Sequence, residues 1–191
     1  MSPRRWIPLL ALFATLTACR DEPNRLDPVP EALKGRLAVA RAAAADLKKT
    51  LGGRLTAAMK DGPDSAIDVC AKEAEKLSAE VGARHGVKIG RSSTRLRNPR
   101  NAPSPWVKDY LDGAAGKMVR DLAPAAYDLK DDVGVVLPIA TEGLCVTCHG
   151  KMEELTPAVR TALEQRYPTD QATGFELGSL RGVVWVRLAK K

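Results

Sequence analysis

The chain is short of several things, and each shortage excludes something. It holds four cysteines in 191 residues, too few for a disulfide-dense scaffold. Three Trp, three Tyr and two Phe are too few aromatics for a base-stacking platform on single-stranded nucleic acid. Its longest apolar run, broken only by Pro8, covers residues 6–13 and is too short to span a bilayer as a helix. There are no internal repeats, no low-complexity tract and no second C-x-x-C. What remains is ordinary: 45% hydrophobic and 28% charged residues, enough for one domain with a real core.

The N-terminus reads as an export signal. Arg4 and Arg5 supply a positive start, and residues 6–13 supply the apolar stretch that follows it. Leu16-Thr17-Ala18-Cys19 then resembles the lipobox of bacterial lipoproteins. That resemblance implies cleavage before Cys19 and a lipid on its thiol, so residues 1–18 are a signal peptide and the membrane is a partner through Cys19. An ordinary signal peptide with an incidental Cys19 is the alternative. Arg20 in place of an Asp favours the outer membrane, by analogy with lipoprotein sorting in enteric bacteria. The expected location is the periplasmic side of a bacterial membrane, an oxidising compartment. Cleavage removes Arg4 and Arg5 and no acid, lowering the net charge from +7 to +5. That mild excess suits an anionic cofactor or membrane surface, and a nucleic-acid partner is not expected outside the cytoplasm.

Residues 19–30, with three prolines, read as a tether. The domain covers 31–191. Leu33, Leu37, Ala40, Ala44, Leu47 and Leu51 recur with alternating spacings of four and three, which predicts a long helix packed on the rest of the domain. A seam of this kind can also pair two copies into a homodimer, although it is short for a coiled coil. Asp61-Gly62-Pro63 ends that helix and opens another, whose apolar face is Ala66, Ile67, Cys70, Ala74, Leu77 and Val81. Strands are expected at 87–93, 133–140 and 182–188. Helices are expected from Pro105 through Met118, with Ser104 as cap, and from Thr156 to about Arg166. The pattern is α/β or α+β with a small sheet.

Residues 145–149 carry the chemistry: Cys145-Val146-Thr147-Cys148-His149. C-x-x-C-H is the attachment sequence of c-type haem. One helical turn sets both thiols at one edge of the porphyrin, and the adjacent imidazole reaches the iron. The competing readings are a redox dithiol, a structural disulfide and half of a zinc site. A zinc site needs two more ligands at matching spacing. Candidates for the second axial position are Cys70, His85, Met59, Met118 and Met152. Met152 lies too close to His149 in sequence to reach the opposite face. His85 is expected to be solvated in a turn, and Met59 and Met118 to fill core. On pattern alone Cys70 is equally a ligand or an inert buried thiol. Arg91, Arg95 and Arg97 lie near a strand end, where they could pair with haem propionates or form a solvated basic loop; Arg97 is the first candidate.

Four stretches together resemble a larger pattern: A-I-D-V-C (66–70), I-G-R-S-S-T-R-L-R-N-P-R-N-A-P (89–103), C-V-T-C-H (145–149) and Y-P-T-D-Q-A-T-G-F-E-L-G-S-L-R-G (167–182). In that order they are similar to the PAS-like c-type haem domain family, a bacterial family of unassigned function. The resemblance implies an α+β fold: a PAS-like antiparallel sheet flanked by helices. It also implies one haem c, with His149 and Cys70 as axial ligands. The lipobox departs from the family pattern, so location does not follow from the resemblance.

Thiolate ligation favours ferric iron and so a low potential, and two protein ligands leave no open position for substrate. With no nucleophile–base–carboxylate pattern either, an enzyme is not expected. The leading expectation is a membrane-anchored c-type cytochrome for low-potential electron transfer or redox poise. The alternative is a haem-based redox or gas sensor acting through a partner protein. The third reading is a non-haem lipoprotein with a Cys145–Cys148 disulfide.

Overall fold

The computed structural model describes residues 24–191. The signal segment and Cys19 therefore lie outside the described residues. Five antiparallel strands form one sheet in the order β1-β3-β4-β5-β2. They are β1 (Asn24–Arg25), β2 (Lys88–Ser92), β3 (Ala125–Leu129), β4 (Asp132–Ala140) and β5 (Leu180–Ala189). The expected α+β class, an antiparallel sheet flanked by helices with a long N-terminal helix, is what the chain adopts.

Alternation along the strands assigns the two faces. Val133 and Val135 of β4 and Val184, Val186 and Leu188 of β5 pack in one cluster with Ala40, Ala43, Ala44 and Leu47 of α1 (Lys34–Met59). Val81 of α3 (Ala74–His85) joins them. Val136 and Val183, one residue out of step, face the other way. They meet Trp106, Val107, Tyr110 and Leu111 of α4 (Pro105–Gly113). A period of two in the strands thus sandwiches the sheet between helices on both faces. The apolar seam of α1 packs on this sheet. Gly52 and Gly53 do not interrupt the helix.

Several expectations need correction. Residues 24–30, read as tether, dock on the sheet: Asn24 and Arg25 pair with Asp128 and Tyr127, and Leu26 and Val29 pack on the core. The helix from Pro105 stops at Gly113 rather than reaching Met118. The run Gly113-Ala114-Ala115-Gly116 breaks it, with Gly116 in the left-handed region at φ 72°, and Met118 forms an isolated bridge with Ser179. Strand β3 was not anticipated, because its hairpin to β4 turns on Lys130-Asp131 without a glycine. Lys130 itself takes φ 66°, while Asp128 accepts its backbone N–H at 2.9 Å. His85 is not a solvated turn residue: its Nε2 lies 3.0 Å from Asp46 Oδ2, an acid shared with Arg84.

Thr156 does cap α6 (Pro157–Arg166), accepting from the Val159 N–H. Gly134 shows why β4 carries a glycine mid-strand. A Cβ there would come within 2.9 Å of both the Trp106 ring and Leu129. Gly134→Ala is therefore expected to cost about 1–3 kcal/mol by overpacking, measured by urea unfolding. An unchanged midpoint would show that Trp106 can move aside.

Candidate functional site

The C-x-x-C-H run lies on a short helix, α5 (Gly143–His149), between the end of β4 and a loop. Cys145 and Cys148 stand one turn apart on it, both half-buried and both free thiols. Cys148 packs against the small apolar cluster of Ile67, Leu155, Val159, Ala162 and Leu163, with Tyr167 beside it. Burial pushes the Cys148 thiol up from its ordinary range.

His149 ends the helix and is held by an unexpected partner. Its Nδ1 lies 2.6 Å from the Ala172 carbonyl oxygen. A carbonyl can only accept, so Nδ1 carries the proton and Nε2 keeps a free lone pair. This is the arrangement by which a second-shell group fixes a ligating histidine's tautomer. Burial first, then the charges of Arg181 and Arg97, hold the imidazole well below its usual pKa, so it stays neutral. The loop that supplies Ala172 is stitched to the helix end: Phe175 N–H donates to His149 O at 2.9 Å and Gly174 N–H to Gly150 O at 2.6 Å. The Phe175 ring meets the imidazole edge-on, centroids 6.2 Å apart. Gly150 is required where it stands, because a Cβ there would lie 2.6 Å from Val146 O.

Cys70 approaches from the other side of the chain. The helix expected from Pro63 is divided: α2 (Pro63–Asp68), a π-helical turn (Val69–Glu73), then α3. Cys70 sits inside the π turn, and π turns of this kind recur at functional sites. It is half-buried, not fully buried as expected. It lies close enough to Cys148 and Tyr167 for its charge to act on both. Asp68, just before the turn, pairs with Arg166 of α6 and with Lys72 at 2.8 Å, which ties the Cys70 segment to the cluster under Cys148. The other axial candidates are elsewhere: His85 is paired with Asp46, Met59 packs by Ala58, Ala66 and Val69, and Met152 is exposed.

Arg97 reaches the end of the motif helix. It is 8% exposed and turned into the protein. Its Nε donates to Asp170 Oδ2 at 3.0 Å, and its Nη2 to Cys148 O at 2.5 Å and Ala172 O at 3.3 Å. It thus has a positioning role, joining the C-x-x-C-H helix through its Nη2, and the loop that holds His149 through its Nε and Nη2. Arg95 is also engaged, donating to Thr173 O at 2.8 Å with its guanidinium 3.7 Å above the Phe175 ring. Arg181, a residue the sequence did not single out, reaches into the site. Its Nη2 is 3.5 Å from His149 Nε2, and burial lowers its pKa to about 10. Asp170, Ala172, Phe175 and Arg181 all belong to the 167–182 stretch, which carried the family resemblance but no assigned role. A cavity of about 260 Å³ lies between α3 and the β2–β5 pair, lined by Ala74, Ser78, Ile89, Arg91, Asn101 and Trp185 among others.

These donors fit a covalently attached haem: two free thiols one turn apart, a neutral imidazole with its Nε2 unprotonated, a further thiol nearby, and surplus positive charge for carboxylates. Among the described residues no group of three or more His, Cys, Asp or Glu could hold a metal ion unaided.

Two outcomes test the scaffold. Asp170→Asn leaves the buried Arg97 guanidinium without its carboxylate and is expected to cost about 3–5 kcal/mol in chemical unfolding. A loss below about 1 kcal/mol would show that the Asp170–Arg97 pair does not hold the loop. Asp68 is held by Arg166 first, then Lys72, at a pKa of about 2 against an ordinary 3.8. A lowered folded-state pKa stabilises above the unfolded value and is lost as pH falls through the folded one. The Tm gap between wild type and Asp68→Asn should thus be full above about pH 4 and close towards pH 2. A gap that persists at pH 2 would contradict the pairing.

The model of the Tll0287-like family matches residues 11–189. Among solved structures, that of the cyanobacterial haem protein Tll0287 superposes with a TM-score of 0.63 at 21% identity, covering 83% of this chain and 97% of that one. No curated protein matches. At that identity the structural likeness speaks for the fold, and the family model, spanning nearly the whole chain, speaks for kinship. The chain belongs to the Tll0287-like family.

Proposed function

We propose that this chain is an exported c-type cytochrome, anchored by lipid at Cys19, that carries one haem and works in low-potential electron transfer or redox poise. The observation that carries the reading is the imidazole of His149, fixed by Ala172 O so that Nε2 is the free nitrogen, one residue after the second of two free thiols on one helix. That a solved structure of similar fold is described as a haem protein supports it.

On this reading Cys145 and Cys148 would hold the haem through thioethers, and His149 and Cys70 would ligate its iron. The haem, when bound, supplies an iron that cycles between ferric and ferrous. The protein does the rest. Ala172 O orients the imidazole, and Arg97 with Asp170 keeps that carbonyl and the motif helix in register. The Cys70 thiolate favours ferric iron and lowers the potential. Two protein ligands leave no site for substrate, so we assign no catalytic residues. No described helix is long and apolar enough to cross a membrane. A lipid at Cys19 is the proposed anchor, on the periplasmic side and in the outer membrane by the Arg20 criterion.

A second reading draws on the π turn at Cys70. A widened turn is a place where a ligand can be released, which suits a redox or gas sensor acting through a partner protein.

A pyridine haemochrome spectrum of protein made alongside haem-attachment machinery should show c-type haem, absent from Cys145→Ser/Cys148→Ser. Cys70→Ser should move the ferric Soret band and raise the potential. If neither changes, Cys70 is not a ligand. Rapid carbon monoxide binding by reduced wild type would favour the sensor; inert six-coordinate reduced haem would favour the electron carrier. Metabolic lipid labelling should disappear in Cys19→Ser, with the protein released to the soluble fraction. Retention in the membrane fraction would overturn the anchor.

A further inference from the structure

The charges around His149 do not balance. Arg91, Arg97 and Arg181 all act on its imidazole, and Arg95 stacks on the same Phe175 that meets its ring. Among the described residues Asp170 is taken by Arg97 at 2.9 Å, both side chains being 7% exposed, and Glu75, which lines the same cavity as Arg91, is paired with Arg100 at 3.1 Å. Arg95 is answered by a carbonyl and a ring. Arg181 and Arg91 have no carboxylate partner among the described residues. The Arg181 guanidinium lies 3.5 Å from His149 Nε2 and 4.9 Å from the centroid of the Phe175 ring.

A guanidinium partly withdrawn from water without an anion is costly, and Arg181 is such a group, with half-buried Arg91 on the neighbouring strand. Arginine's planar fork is matched to carboxylates, which it can bind with two parallel hydrogen bonds. A haem brings two carboxylates.

We propose that Arg181 and Arg91 are the carboxylate-binding pair of this site, taking the two haem propionates, and that Arg181 also caps the His149 Nε2 lone pair until haem is loaded. The proposal rests on the haem reading above. It places the propionate role on a residue of β5 and a residue of β2, beside Arg97, whose Nε and Nη2 are engaged inside the protein.

The test is resonance Raman spectroscopy of the purified haem-loaded protein, reading the propionate bending band, which follows hydrogen bonding at the carboxylates. Wild type is assayed first by pyridine haemochrome; absence of c-type haem there overturns the haem reading itself, separately from this proposal. Arg181→Gln and Arg91→Gln should each shift the band to lower frequency. Arg181→Lys, which keeps the charge but not the fork, should fall between wild type and Arg181→Gln. Arg120→Gln, on an exposed surface residue paired with Asp121, should leave the band unmoved. An unmoved band in both Arg181→Gln and Arg91→Gln overturns the assignment. Should Arg181→Gln fail to load haem, Arg91→Gln and Arg181→Lys decide, and wild-type bands in both overturn it.

Discussion

The site depends on one hydrogen bond, that between His149 Nδ1 and the Ala172 carbonyl at 2.6 Å. It decides which ring nitrogen carries the proton, and therefore which one is free. The bond itself needs a loop held in place. Arg97 grips that loop by donating to Ala172 O and Asp170, and grips the motif helix by donating to Cys148 O. The loop in turn binds the helix end through Phe175 and Gly174. Buried charge is used here for position. The Arg97–Asp170 pair contributes little net stability by itself, but losing either partner would strand the other away from water.

The sheet explains how distant segments meet. Cys70 precedes β2, the motif follows β4, and Ala172 and Arg181 flank the start of β5. The antiparallel register sets the end of β4 and the end of β2 beside the start of β5, and α3, running back along β2, returns Cys70 towards that same end of the sheet. The Asp68–Arg166 pair then fixes the π turn that carries Cys70 against α6, over the apolar cluster that includes Cys148.

Much of the frame was legible in the sequence. The four-three spacing of leucines and alanines marked α1, and the valine-rich runs marked β4 and β5, because both report burial by one or two faces of a regular element. The C-x-x-C-H run marked α5, where five adjacent residues encode the chemistry locally. What was not legible is non-local or conformational. The β3 hairpin turns on Lys130 at positive φ, a residue that gives no turn signal. The π turn at Cys70 gives no signal in the residue pattern, and Cys70 within it is half-buried. Arg97 and Arg181 were indistinguishable as letters. Only the position of Asp170 and Ala172, more than seventy residues after Arg97, shows that one guanidinium is paired with a carboxylate while the other lies against His149 and Phe175.

The central claim is that His149 and Cys70 hold one iron between them. Low-temperature electron paramagnetic resonance of the ferric, haem-loaded protein tests it most directly. Ligation by both residues gives a low-spin ferric signal with the narrow spread of g values characteristic of a thiolate–imidazole pair. A high-spin signal, or the wide spread of an iron with two neutral nitrogen ligands, would contradict it.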